Sequence, residues 1–126
     1  MSANTSATAC GPDSLYYYLR LSGLTLDPQS VMDLFPETGS GTSLAQLEQA
    51  ARQFGVPSKA IYDRTRDLEK VPKPAIVALT GSHFAVLTSV RNGRAWIITS
   101  CYRFESRPVE VVRAAWSGYG LVADSG

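Results

Sequence analysis

Cys10 stands in the stretch ACGPDSLYYYLRLSG, and His83, the single histidine of the chain, stands in GSHFAVLTSV. A cysteine attacks as its thiolate, which forms readily beside positive charge or free N–H groups. Gly11-Pro12-Asp13 reads as the opening of a helix, because proline suits the first turn and aspartate complements the positive end of the helix dipole. A helix starting beside Cys10 would lower its thiol pKa, and the same free N–H groups would hold an oxyanion. His83 heads an apolar, strand-like run, so its ring can stand at a strand end facing a cleft. Imidazole takes a thiol proton near neutral pH and returns it to a leaving amine. Cysteine early and histidine later is the chain order of papain-type sites. The same residues also fit an inert buried thiol and a histidine at a turn.

The first half of the chain reads as helical. Residues 13–21 carry Leu15, Tyr18, Leu19 and, just past them, Ser22 on one side, with Gly23 as a stop. Asp27-Pro28 opens a short helix over 29–34, closed by Pro36, and Gly39-Ser40-Gly41 is a loop. Ser43 caps a third helix with Leu44, Leu47, Ala51 and Phe54 on one face and Gly55 at its end. The second half reads as strands over 57–61, 74–80, 83–90 and 94–100, with a helical turn after the first. Asn92-Gly93 between two of these runs predicts a type I′ hairpin. A helix over 108–116, with Val109, Val112 and Trp116 on one side and Gly118 as its stop, precedes a last strand, YGLVA. Trp96 and Trp116 read as core anchors. Helices first and an antiparallel sheet after them make an α+β domain. We divide the chain into a flexible N-terminal segment, 1–9, and one domain, 10–126.

Composition narrows the function. The 126 residues carry 12 Lys and Arg against 11 Asp and Glu, a net charge of +1. A protein that neutralises phosphates carries a clearer basic excess, so no nucleic-acid partner is expected. Two distant cysteines and one histidine do not make a structural zinc site or a disulfide scaffold, so no metal and no cofactor is expected. No apolar run approaches the ~20 residues of a membrane span, so no direct membrane insertion is expected. The first nine residues lack the basic and apolar regions of a signal peptide. The protein is therefore expected inside the cell, or else the chain is a piece of a longer one.

Four segments in order resemble one family. CGPDSLYYYLRLSG is similar to its cysteine-bearing helix, GTSLAQLEQAARQFGVPSKAI to its second helix and strand, KPAIVALTGSHFAVLTSV to its histidine segment, and VEVVRAAWSGYGLV to its closing segment. The family is the papain-like peptidase domain of bacteriocin-exporting ABC transporters, the double-glycine leader peptidases, with their stand-alone relatives. The resemblance runs from Cys10 to about Ala123. It implies a papain-like α+β fold, Cys10 as nucleophile and His83 as its base. It implies a leader peptide cut after Gly-Gly, an ABC transporter or secretion partner, and a location in the cytoplasm or on the cytoplasmic face of the membrane. Gly11, Tyr17 and Ser82 are assigned to the substrate side of the cleft, the glycine and the Gly81-Ser82 turn because they let a backbone approach closely.

Two positions depart from the pattern. The family ends the strand after the Asn-Gly-type turn with an aspartate that orients the imidazole. Here that position is Ser100, or Thr99 if the strand is offset by one, and no carboxylate lies between Arg94 and Phe104. A hydroxyl can accept the ring N–H but supplies no charge. The family also carries a glutamine six residues before the cysteine as an oxyanion donor, and here it is Asn4. The peptidase reading therefore competes with a degenerate domain that holds a leader or secretion signal without cutting it. An amidase or acyl-transfer enzyme with the same site is a third reading.

Overall fold

The structure is a computed structural model and describes residues 2–34, 43–80, 83–99 and 103–124, with side chains from residue 12 onward. Three helices come first: α1 (Ser2–Leu21), α2 (Pro28–Met32) and α3 (Leu44–Gln53). Then follow β1 (Ser58–Tyr62), a 3-10 turn at Leu68–Lys70, β2 (Ala75–Leu79), β3 (His83–Arg91), β4 (Arg94–Thr99), β5 (Arg103–Pro108), α4 (Val109–Ala115) and β6 (Trp116–Ala123). The strands form one sheet in the order β1-β6-β2-β3-β4-β5, and every neighbouring pair is antiparallel.

Strand alternation gives the sheet two buried faces. Ile76, Val86, Ile98 and Leu121 point to one face and pack against Leu15, Tyr18 and Leu19 of α1, Val31 of α2 and Leu47 of α3. Ala75, Val77, Ala85, Leu87, Ala95, Ile97 and Val122 point to the other, under Val112 of α4, Trp116 and Leu68. The helical layer is locked to the sheet by a buried hydrogen bond of 2.7 Å between the Tyr18 hydroxyl and Ser58 Oγ. Ser58 Oγ already donates to the Val56 carbonyl, so the phenol is the donor.

The local signals hold where they are strongest. Ser43 and Gln46 form a reciprocal capping box at the start of α3. Asn92 and Gly93 take φ of 54° and 75° in the β3–β4 hairpin, the two positive values that a type I′ turn requires. The Gly39-Ser40-Gly41 loop and Pro36 lie outside the described residues.

The structure corrects four readings. First, α1 does not begin after Cys10 but runs from Ser2, with Pro12 inside it. Proline removes one helical hydrogen bond, a cost of about 3 kcal/mol, but its fixed φ is helical. The buried Leu15, Tyr18 and Leu19 hold the helix to the sheet. Second, the helix expected over 108–116 stops at Ala115, and Trp116 opens β6. Fully buried Trp116 donates its indole N–H to the Tyr119 carbonyl at 2.8 Å, and the Ala115 carbonyl accepts from Thr80 N. Gly118 is therefore a strand residue, not a helix stop. At φ 100° a Cβ there would lie 2.9 Å from both Tyr62 Cε1 and the Asp63 carbonyl oxygen. Third, β5 was not anticipated, because RFESRP is a polar edge strand without apolar alternation. Fourth, Trp96 is no core anchor: it is 40% exposed, with the Arg91 guanidinium 5.9 Å from its ring centroid.

Candidate active site

Cys10, Asn4 and Gly11 all lie in α1. Their side chains are outside the described residues, as are Ser82, Ser100 and Cys101 altogether. The length of α1 changes the argument for the thiol. A backbone N–H inside a helix bonds to the carbonyl four residues back, so Cys10 does not have the free N–H groups of a helix start.

His83 is the first residue of β3 and is exposed. Its cross-strand partner is Leu79, the last residue of β2. Thr99 is the last residue of β4, half-buried. The β3–β4 register pairs Leu87 with Ile97 and Val86 with Ile98. Paired residues share a face, and residues two apart on a strand share it too. Stepping from Leu87 through Ala85 to His83, and from Ile97 to Thr99, places the imidazole and the threonine on one face at one end of the sheet. Thr99 Oγ1 donates to the Arg103 carbonyl at 3.3 Å. Its proton is used there, which leaves the oxygen lone pairs to accept a ring N–H.

Helix α1 reaches this end of the sheet from the other face. The Tyr17 ring packs edge-on to Phe104 with centroids 5.6 Å apart, and Phe104 is paired with Ile98 beside Thr99. Tyr17 is half-buried and Phe104 is 68% exposed, so together they form an aromatic wall where α1 overhangs the strand ends. Burial, followed by the nearby Tyr16 and Asp13, pushes the Tyr17 phenol above its usual value and keeps it neutral. Of the three consecutive tyrosines, Tyr18 is the core residue.

Sequence reasoning missed two neighbours of the cysteine. Asp13 and Ser14 follow it by three and four positions, one turn along α1, and are only 9% and 3% exposed. Asp13 was read as a helix-start signal because it follows Pro12, and nothing in its type announced burial. Ser14 Oγ has no hydrogen-bond partner among the described residues. Among the described residues no three His, Cys, Asp or Glu side chains gather as metal ligands, and no helix is long and apolar enough to cross a membrane.

The model of the peptidase C39 family matches residues 1–126. No curated protein matches the sequence. Among solved structures, the chain is similar to a double glycine motif protease from an AMS/PCAT transporter, solved in complex with the leader peptide. The TM-score is 0.81 at 23% identity, over 90% of this chain and 81% of that one. It is also similar to the N-terminal peptidase C39 like domain of the toxin secretion ATP-binding protein from Vibrio parahaemolyticus, with a TM-score of 0.75 at 25% identity, over 92% and 96%. The peptidase domain of Streptococcus ComA, a bi-functional ABC transporter of a quorum sensing pathway, gives a TM-score of 0.78 at 20% identity, over 91% and 90%. The antiparallel sheet with its helices is the papain-like α+β fold of these domains, and this chain belongs to the C39 peptidase family.

Proposed function

We propose that the chain is a cysteine peptidase that cuts a leader peptide after Gly-Gly, acting beside an ABC transporter or another secretion partner on the cytoplasmic side. The family match and the double-glycine protease among its structural neighbours support this substrate class. The observation that carries the reading is the family match over residues 1–126 of a chain that keeps Cys10 and His83, the pair that the resemblance makes nucleophile and base.

In this mechanism His83 takes the Cys10 proton, and the thiolate attacks the carbonyl of the second glycine. The resulting oxyanion is held by the Asn4 amide. The imidazolium then protonates the leaving amine, and water hydrolyses the thioester with His83 as base. Thr99 accepts the far ring N–H and fixes the tautomer; Ser100 is the alternative for this role. Gly11 and Ser82 let the glycine backbone approach, and Tyr17 walls the cleft. A Gly-Gly leader peptide incubated with the protein is expected to give one amino-terminal product ending in Gly-Gly by mass spectrometry. Cys10→Ala and His83→Ala abolish it. Asn4→Ala lowers kcat about 10²-fold or more with little change in KM, as loss of an oxyanion donor does.

The absence of a carboxylate between Arg94 and Phe104 favours a second reading, a domain that binds the leader without cutting it. Under that reading Cys10→Ala leaves leader affinity unchanged and no variant yields product.

A further inference from the structure

The chain has 12 Lys and Arg against 11 Asp and Glu, but the fold does not mix the two signs evenly on every face. On the α1 side of the sheet, α1 packs chiefly on β3, and β4 and β5 lie beside it. There Phe104 stands opposite Ile98, and Trp96 stands two residues before Ile98, so all three share that face. Phe104 is 68% exposed and Trp96 40%. The Tyr17 ring carries the strip from Phe104 onto α1. Leu21, one turn beyond Tyr17 and 48% exposed, extends it to the end of the helix.

Three arginines border this apolar strip. Arg91 lies over the Trp96 ring, and its cross-strand partner Arg94 donates from Nε to Ser106 Oγ at 3.2 Å and from Nη2 to the Ser106 carbonyl at 2.9 Å. At the other end the Arg20 guanidinium lies 5.7 Å from the ring centroid of Tyr16, which is itself in edge contact with Tyr17. All three arginines are exposed, and none makes an ion pair with a described carboxylate. Strands β3 and β4 contain no acid. Glu105 of β5 stands opposite Ile97 and so belongs to the other face, and Asp13 of α1 is buried. The main cavities are lined by other residues, so this face is a platform rather than a cleft.

We propose that this face rests on an anionic lipid bilayer. Trp96, Phe104 and Leu21 enter the headgroup layer, where aromatic rings and apolar side chains are favoured beside cations. Arg20, Arg91 and Arg94 meet the anionic headgroups, and their apolar stems lie along the same strip. The contact is peripheral, and no segment crosses the membrane. This goes beyond the proposed function and does not rest on it, since a cutting and a holding domain would dock alike. Tyr17 and Phe104 also wall the candidate cleft, so docking brings the mouth of that cleft to the membrane surface.

The test is sedimentation of the full chain with vesicles of phosphatidylcholine alone, or with about one-third phosphatidylglycerol, at low and high salt. Binding to the anionic vesicles is expected to be at least about tenfold stronger than to the zwitterionic ones and to weaken with salt. Tryptophan emission is expected to shift to the blue on binding, because Trp96 leaves water while Trp116 is already buried. Each arginine lost is expected to cost about fivefold, so Arg20→Glu with Arg91→Glu loses about 25-fold or more. Phe104→Ser is expected to weaken binding at both salt levels. Thermal melting shows that each variant is folded, and Arg20→Gln with Arg91→Gln serves if the reversal does not fold. Equal partition to both kinds of vesicle, or anionic binding untouched by the arginine and Phe104 variants, overturns the proposal. So does a protein that ignores vesicles and binds a labelled oligouridine or polyglutamate through the same arginines. Each of these results leaves the leader-peptide reading standing.

Discussion

Cys10 and Cys101 have the same side-chain chemistry, so a difference in their reactivity must come from their surroundings. Cys10 sits inside α1 and cannot draw on a helix start, so in the proposed mechanism its activation falls to His83. Alkylation by iodoacetamide at mildly acidic pH is therefore expected to label Cys10 several-fold faster than Cys101 in peptide mapping. His83→Ala is expected to remove the difference, because the imidazolium that stabilises the thiolate is gone. Equal labelling of the two thiols in the parent protein contradicts an activated site. The same scale decides what stands in for the missing acid. Thr99 shares a face with His83, so Thr99→Asp is expected to place a carboxylate on the far ring nitrogen; a gain in Ser100→Asp instead would assign that role to Ser100.

Between residue and molecule, the element that positions the site is α1, and its anchor is the Tyr18–Ser58 hydrogen bond. Tyr18→Phe and Ser58→Ala are each expected to cost about 1 kcal/mol or somewhat more, with a coupling of about 1 kcal/mol in the double-mutant cycle of urea unfolding. The phenol also gives the fold an alkaline limit. Burial raises the Tyr18 pKa above its usual 10.0. Above pH 10 the unfolded chain has lost this proton while the folded chain keeps it, so unfolding releases a proton and stability falls as pH rises further. Tyr18→Phe is expected to flatten that fall in melting temperature measured between pH 9 and 11. Elements with local signatures were legible in the sequence. Asn92-Gly93 and the Ser43 box specify their own geometry, and Leu15 and Leu19 mark the buried side of α1. The start of α1 and the edge strand β5 were not. Pro12 by itself marks a first turn, and only the packing of Leu15, Tyr18 and Leu19 carries the helix through it, while Arg103, Glu105 and Arg107 have no apolar pattern to betray a strand.

For the whole molecule, two buried clusters on opposite faces of one sheet mean that neither helical layer stands alone. Trp116 is the largest fully buried side chain, and Trp116→Ala is expected to cost about 3–5 kcal/mol. Against a typical domain stability of about 5–15 kcal/mol, that leaves a marginal fold. Its thermal transition should drop well below that of Trp116→Phe in calorimetry. Cysteine and histidine read as a candidate pair because their types and chain order fit one chemistry. A choice between positions 99 and 100 was not legible, since it requires the strand register, and the burial of Asp13 and Ser14 requires the packed helix. The proposed site is a cutting site weakened by loss of one charge. It is tested most directly by the rate at which the parent protein, Thr99→Asp, and Thr99→Asp with Cys10→Ala release product from a Gly-Gly leader peptide. In a serine-protease triad, loss of the acid with the wrong tautomer costs about 10⁴ in turnover, so a large gain is within reach. The account predicts a slow cut by the parent protein, a gain of at least tenfold in Thr99→Asp, and none in the double variant. A folded parent protein and a folded Thr99→Asp variant that both bind the peptide and release nothing would contradict it.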